Sequence, residues 1–155
     1  MSYFRENIEK AEGYEPGFQP KQGDVIKLNT NENPYPPSPR VMELLAGVKA
    51  EQLRRYPDPL GSTFREAAAE INGVKPENIM CCNGGDELLS IALRAFCDGK
   101  RAAAYPVPTY TLYSVLAQLQ GCEVIEVPFD GEFNLPAKLV KSKAALTIIC
   151  NPNAP

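Results

Sequence analysis

The sequence contains no histidine. That absence removes Ser–His and Cys–His catalytic pairs from this chain, and with them any histidine-ligated metal. No apolar run reaches the length of about 20 residues that a bilayer-spanning helix needs. The first ten residues, MSYFRENIEK, are polar and mixed in charge and do not read as a signal peptide. Neither a GxGxxG nor a Walker pattern is present, which counts against a plain nucleotide-binding domain. An excess of positive charge is missing too. Lys and Arg number 16 against 19 Asp and Glu, a net charge of −3, so a nucleic-acid surface is not expected. The five cysteines, Cys81, Cys82, Cys97, Cys122 and Cys150, are odd in number and match no zinc spacing. Most lie in or beside apolar segments, and reduced core thiols of a cytosolic protein are the reading they support.

What is present suits a soluble α/β domain. The 155 residues are 44% apolar and 23% charged, enough to bury a real core. The N-terminal third is irregular, with many of the fifteen prolines in GYEPGFQPKQGD and NENPYPPSPR. Between them VIKLN reads as a short strand. Ser38 as N-cap and Pro39 at the first helical position start a helix to about Val48. From Leu60 the pattern becomes regular. STFREAAAEIN is a helix capped by Ser62 or Thr63 and closing near Gly73, NIMCC is a strand, and DELLSIALRAFC is a helix. RAAAYP and CEVIEVP are strands flanking the helix TYTLYSVLAQLQ, which Gly121 ends. PAKLVKS is a short helix and ALTIIC a buried β-branched strand. This alternation predicts a parallel sheet. The division expected is residues 1–58 as an arm and small-domain segment, and 59–155 as the first part of a larger domain. The sequence closes on a loop just after a strand, where parallel α/β folds bind ligands, and the expectation is a fold cut part-way.

Five segments carry candidate chemistry. In NGGDELL, Gly84 and Gly85 allow close backbone approach, and a helix starting near Asp86 offers free N–H groups to an anion. The same residues also make a plain capped turn. YPVPTYTLY places Tyr110 at the mouth of the sheet, to stack on a planar ring or to pack under a loop. RRYPDPLG holds Tyr56 in an extended stretch. LNTNENPY offers Asn29, Asn31, Glu32 and Asn33, as pocket lining or as Asx turns. CNPNAP ends a strand with the amides of Asn151 and Asn153.

In this order LNTNENPY, RYPDP, NGGDE, PTYTLY and NPNAP resemble the pyridoxal-phosphate-dependent aminotransferases of fold type I, and are most similar to the branch acting on histidinol phosphate. The resemblance implies a three-layer α/β/α, mainly parallel large domain, present only in part and preceded by the irregular arm. It implies amino-group transfer between histidinol phosphate and 2-oxoglutarate with pyridoxal 5'-phosphate, in a cytoplasmic homodimer with small-molecule substrates and no nucleic-acid or membrane partner. The backbone amides of Gly85, Asp86 and Glu87 would hold the cofactor phosphate, and Tyr110 would stack on its ring. Tyr56 would reach a partner's cofactor, while Tyr14, Asn31 and Glu32 would line the substrate pocket. The last loop departs from the family's N-P-N-N-P-T-G. Ala154 stands where the cofactor-contacting asparagine is expected, so Asn151 or Asn153 would take that contact. The cofactor-linking lysine, the aspartate facing the ring nitrogen and the carboxylate-binding arginine have no matching positions, so the chain alone is expected to be inactive. Two alternatives stand beside this reading: a related enzyme such as a threonine-phosphate decarboxylase, and a non-catalytic phosphate-binding fragment.

Overall fold

Ala103, Ala104 and Tyr105 are almost wholly buried, and they form the middle of a three-stranded parallel sheet. The structure is a computed structural model describing residues 2–14, 17–21, 25–29 and 32–153. In chain order its helices are α1 (Glu6–Glu9), α2 (Pro39–Ala46), α3 (Ala50–Leu53), α4 (Ser62–Asn72), α5 (Gly84–Phe96), α6 (Leu112–Gln120) and α7 (Ala137–Val140). Its strands are β1 (Ala103–Val107), β2 (Val124–Pro128) and β3 (Leu146–Thr147), and a short 3-10 turn spans Pro76–Asn78. The chain divides into two compact units, Met1–Glu15 with Cys82–Pro155, and Pro16–Cys81. The boundary expected at 58/59 falls inside the second of these.

The first unit holds the sheet, in the order β2-β1-β3. Ala103 pairs with both Val124 and Leu146, and all pairings are parallel. Successive side chains of a strand alternate between faces, and β1 shows what that does here. Ala103 packs with Leu93 of α5 and Leu116 of α6. Ala104 turns to the other face and packs with Val127 and Leu139 of α7. Tyr105 returns to the first face, beside Tyr113 of α6 and Leu89 of α5. Helices therefore cover the central strand on both faces, the partial α/β/α arrangement expected, and small alanines let them come close.

ALTIIC is shorter as a strand than expected. Pairing covers only Leu146–Thr147 and ends after the Ile148 N–H donates to the Ala104 carbonyl at 2.8 Å. The next residue of β1 to face β3 is Pro106, which has no N–H to continue the ladder. NIMCC does not become a strand. Its first residue closes the 3-10 turn, and Ile79 is extended (φ −109°, ψ 129°) with no strand beside it. Residues 25–29, the expected strand VIKLN, form no regular element either. Extended backbone becomes sheet only when a neighbour supplies the ladder.

In the second unit, α2 starts as expected with Ser38 at the N-cap and Pro39 at the first helical position, and it ends at Ala46. Helix α4 differs at its start. Its N-cap is Gly61, and Ser62 is already helical. The cap comes from upstream: Asp58 accepts the N–H groups of Leu60 (3.0 Å) and Ser62. A hydrogen bond from the Ser62 side chain, then the N–H groups of Leu60 and Ser62, hold the Asp58 carboxyl below its ordinary range. The left-handed Gly73 (φ +65°) closes α4 as expected. Arg65 then donates to the Pro76 carbonyl from Nη2 (2.7 Å) and Nε (3.0 Å), tying the 3-10 turn to the helix. The cysteines are all free, but only Cys97 is buried and Cys81 is exposed, so the expectation of core thiols holds for one of them.

Candidate cofactor site

The strands run parallel, so the loops after β1 and β3 leave the sheet at the same end. The N-terminus of α5 reaches that end as well, through the contact of Asp86 with Tyr110. Helix α5 begins at Gly84, two residues earlier than expected, with Asn83 as N-cap. The Asn83 N–H donates to the Glu87 carboxylate, and the Gly84 N–H to the Cys82 carbonyl at 3.0 Å. Gly84 is left-handed (φ +73°), a conformation that costs other residues steric strain. Among the described residues, the N–H groups of Gly85 and Asp86 have no acceptor. A Cβ built on Gly85 would meet nothing within 4 Å, so the space beside it is open. Two unpaired amides at the positive end of a 13-residue helix suit an anionic group such as phosphate.

Tyr110 stands next to this turn. Its Oη lies 3.4 Å from Tyr14 Oη and 3.5 Å from Asp86 Oδ1. Tyr14 and Tyr113 both meet its ring edge-on, with centroids 5.9 and 5.6 Å away. The hydrogen bond with Tyr14, then burial and the Asp86 charge, push the Tyr110 phenol above its ordinary value. Its contacts with Tyr14, Asp86 and Tyr113 hold the ring in one orientation, which suits stacking on a planar ligand. Behind it, Tyr105 is buried and donates to Glu126 at 3.3 Å.

The loop after β3 closes the set. Thr109 Oγ1 donates to Asn153 Oδ1 at 2.8 Å, and Asn153 Nδ2 donates to the Pro108 carbonyl at 3.0 Å. Asn151 and Asn153 both line a pocket of about 290 Å³ that also includes Phe129, Phe133 and Ile149. A family model for class I and II aminotransferases matches residues 23–155.

The chain belongs to that family. It is 47% identical to histidinol-phosphate aminotransferase 1 of Trichormus variabilis, over 99% of this chain and 45% of that protein. It is 43% identical to the histidinol-phosphate aminotransferase of Geotalea uraniireducens, over 100% of this chain and 45% of that one. The chain thus spans less than half the length of these curated relatives. Among solved structures it resembles histidinol-phosphate aminotransferase from Sinorhizobium meliloti in complex with pyridoxal-5'-phosphate (TM-score 0.70, 24% identity, 81% of this chain and 35% of that one). It also resembles L-threonine-O-3-phosphate decarboxylase from Porphyromonas gingivalis (TM-score 0.59, 24% identity, 75% of this chain and 36% of that one). At these identities the structural likeness establishes the fold, which is the fold type I expected from the sequence.

Against the residues singled out in the sequence, the structure gathers Tyr14, Asp86 and Tyr110 into one cluster and puts Gly85 beside Asp86 in the same turn. Glu87 turns its carboxylate back onto Asn83. Tyr56 and Glu32 belong to the other unit, where Tyr56 is fully exposed and Glu32 pairs with Lys27. Asn31 and Ala154 lie outside the described residues. Thr109 is the residue sequence reasoning passed over. It stood out only as a step into a helix, and nothing local marks a contact 44 residues away. No helix among the described residues is long and apolar enough to cross a membrane.

Proposed function

We propose that this chain is the N-terminal portion of a pyridoxal-phosphate-dependent aminotransferase that exchanges the amino group between histidinol phosphate and 2-oxoglutarate, in histidine biosynthesis. The observation that carries the reading is the pair of unpaired amides at Gly85 and Asp86, set beside a Tyr110 ring whose hydroxyl faces Asp86. The identity to histidinol-phosphate aminotransferases across the chain supports the substrate.

In this reading the amides of Gly85, Asp86 and Glu87 hold the cofactor phosphate, and Tyr110 covers the ring. Asn151 and Asn153 supply the amide loop, Tyr14, Asn31 and Glu32 shape the substrate pocket, and Tyr56 serves the cofactor of a second copy in a cytoplasmic homodimer. The cofactor, when bound, supplies an electron sink for the bonds at the substrate's α-carbon. This chain's own residues bind and orient. Helix α5 sets a positive pole against the phosphate, and the neutral Tyr110 phenol excludes water from one ring face. The groups that would link the cofactor and move protons have no counterpart in this sequence, so the chain by itself binds without turning over.

The test is titration of the 155-residue chain with pyridoxal 5'-phosphate, followed by tyrosine fluorescence, then borohydride reduction and intact-mass measurement. Saturable binding, weakened by added phosphate and leaving no covalent adduct, is the expected result. No binding would sink the reading. The decarboxylase alternative, favoured by the Porphyromonas gingivalis likeness, requires competition by threonine phosphate rather than histidinol phosphate.

A further inference from the structure

We propose that Asn153 is a positioning residue for Tyr110, acting through Thr109 and Pro108, rather than a direct contact of the cofactor. The inference rests on the cofactor reading above and refines which residues of that site touch the ligand. Both ends of the Asn153 amide are engaged within the protein, Oδ1 with Thr109 Oγ1 at 2.8 Å and Nδ2 with the Pro108 carbonyl at 3.0 Å. A carbonyl only accepts, so the amide's orientation is fixed by chemistry: nitrogen toward Pro108, oxygen toward the Thr109 hydroxyl.

The two residues held by Asn153 immediately precede Tyr110. Its backbone is thus tied to the loop after β3, while its hydroxyl is held at the other end by Tyr14 and Asp86. Fixed at both ends, the ring loses little freedom on stacking, and that loss is what weakens binding by mobile side chains. The bond also links the loops after β1 and β3 just where Pro106 has stopped the backbone ladder. Asn153 continues with its side chain a connection the main chain no longer makes.

The test compares Thr109→Val, Thr109→Ser and Asn153→Asp with the parent chain in two measurements. The first is NMR of the ligand-free chain, reading the Tyr110 ring resonances and, where Asn153 is kept, its side-chain amide. Thr109→Val removes the hydroxyl and shifts both, Thr109→Ser restores both, and Asn153→Asp, which sets a carboxylate oxygen against the Pro108 carbonyl in place of the donating nitrogen, shifts the Tyr110 ring. Unchanged Tyr110 resonances in Thr109→Val, or in Asn153→Asp should the valine variant not fold, overturn the inference. The second is the Kd for pyridoxal 5'-phosphate. It rises about five- to tenfold in Thr109→Val, the scale of one net hydrogen bond, rises at least as much in Asn153→Asp, and stays near the parent value in Thr109→Ser. Weakened binding with unmoved Tyr110 resonances would mean direct contact by Asn153 and would also overturn it. A parent chain that binds no pyridoxal phosphate defeats the cofactor reading, while the NMR comparison still decides the clamp.

Discussion

Tyr110 Oη faces the Asp86 carboxylate at 3.5 Å, joining the loop after β1 to the first turn of α5. Tyr14 through its hydrogen bond, burial, and then the Asp86 charge all disfavour the tyrosinate, which raises the Tyr110 pKa above its ordinary value. Asp86→Asn keeps the shape and removes the charge. Tyr110 should then ionise at lower pH, closer to about 10, with little change in melting temperature. Titration of tyrosinate absorbance, with Tyr110→Phe identifying the signal, checks this. An unmoved titration curve would mean that Asp86 does not act on Tyr110.

Tyr105 and Tyr113 are raised for a different first reason. Burial dominates for both, followed by the Glu126 charge at Tyr105 and by the neighbouring Cys150 thiol at Tyr113. The folded state therefore holds these protons more tightly than the unfolded chain. Their contribution to stability is fully present below about pH 10 and is lost as pH rises from there through the folded values. Unfolding followed by circular dichroism should coincide with ionisation of this pair at alkaline pH. Ionisation of Tyr105 at an ordinary pH in a chain that stays folded would contradict the burial.

Gly84 and Gly85 are adjacent but should respond oppositely to alanine. Gly84 sits at φ +73°, where a Cβ costs about 1 kcal/mol or more. Gly85 has no such conformation, and a Cβ there meets nothing. Gly84→Ala should lower stability by roughly that amount, and Gly85→Ala should leave it within about 0.5 kcal/mol. In a phosphate cradle the added methyl at Gly85 still crowds the ligand, so Gly85→Ala should weaken binding of pyridoxal phosphate. Denaturant unfolding and ligand titration of the same two variants separate the effects.

Leu139 and Val140 are neighbours on α7 with opposite fates. Leu139 is 0% exposed beneath the sheet, whereas Val140 is 73% exposed. Leu139→Ala should cost about 2–5 kcal/mol, and Val140→Ala about 0.5 kcal/mol or less. Equal effects in a thermal melt would mean that α7 does not cover the Ala104 face.

Sequence by itself determined the elements whose signals are local. Pro39 behind Ser38 started α2, and Gly73 and Gly121 ended α4 and α6 because left-handed backbone there suits a residue without a Cβ. The alternation from α5 to β3 fixed a parallel sheet, since helical crossovers join parallel strands. The glycine pair before an acidic helix start marked the start of α5 and its unpaired amides, and the order of five short segments marked the family. Tertiary structure decided what depends on a distant partner. NIMCC and VIKLN had strand-like composition but no neighbouring strand, so they stayed unpaired. ALTIIC was cut to two residues by a proline 40 positions earlier. The bond between Thr109 and Asn153 exists only because parallel strands bring the loops after β1 and β3 to one end of the sheet. A side chain's own residue type and spacing say whether it can bond, and only the fold says to what.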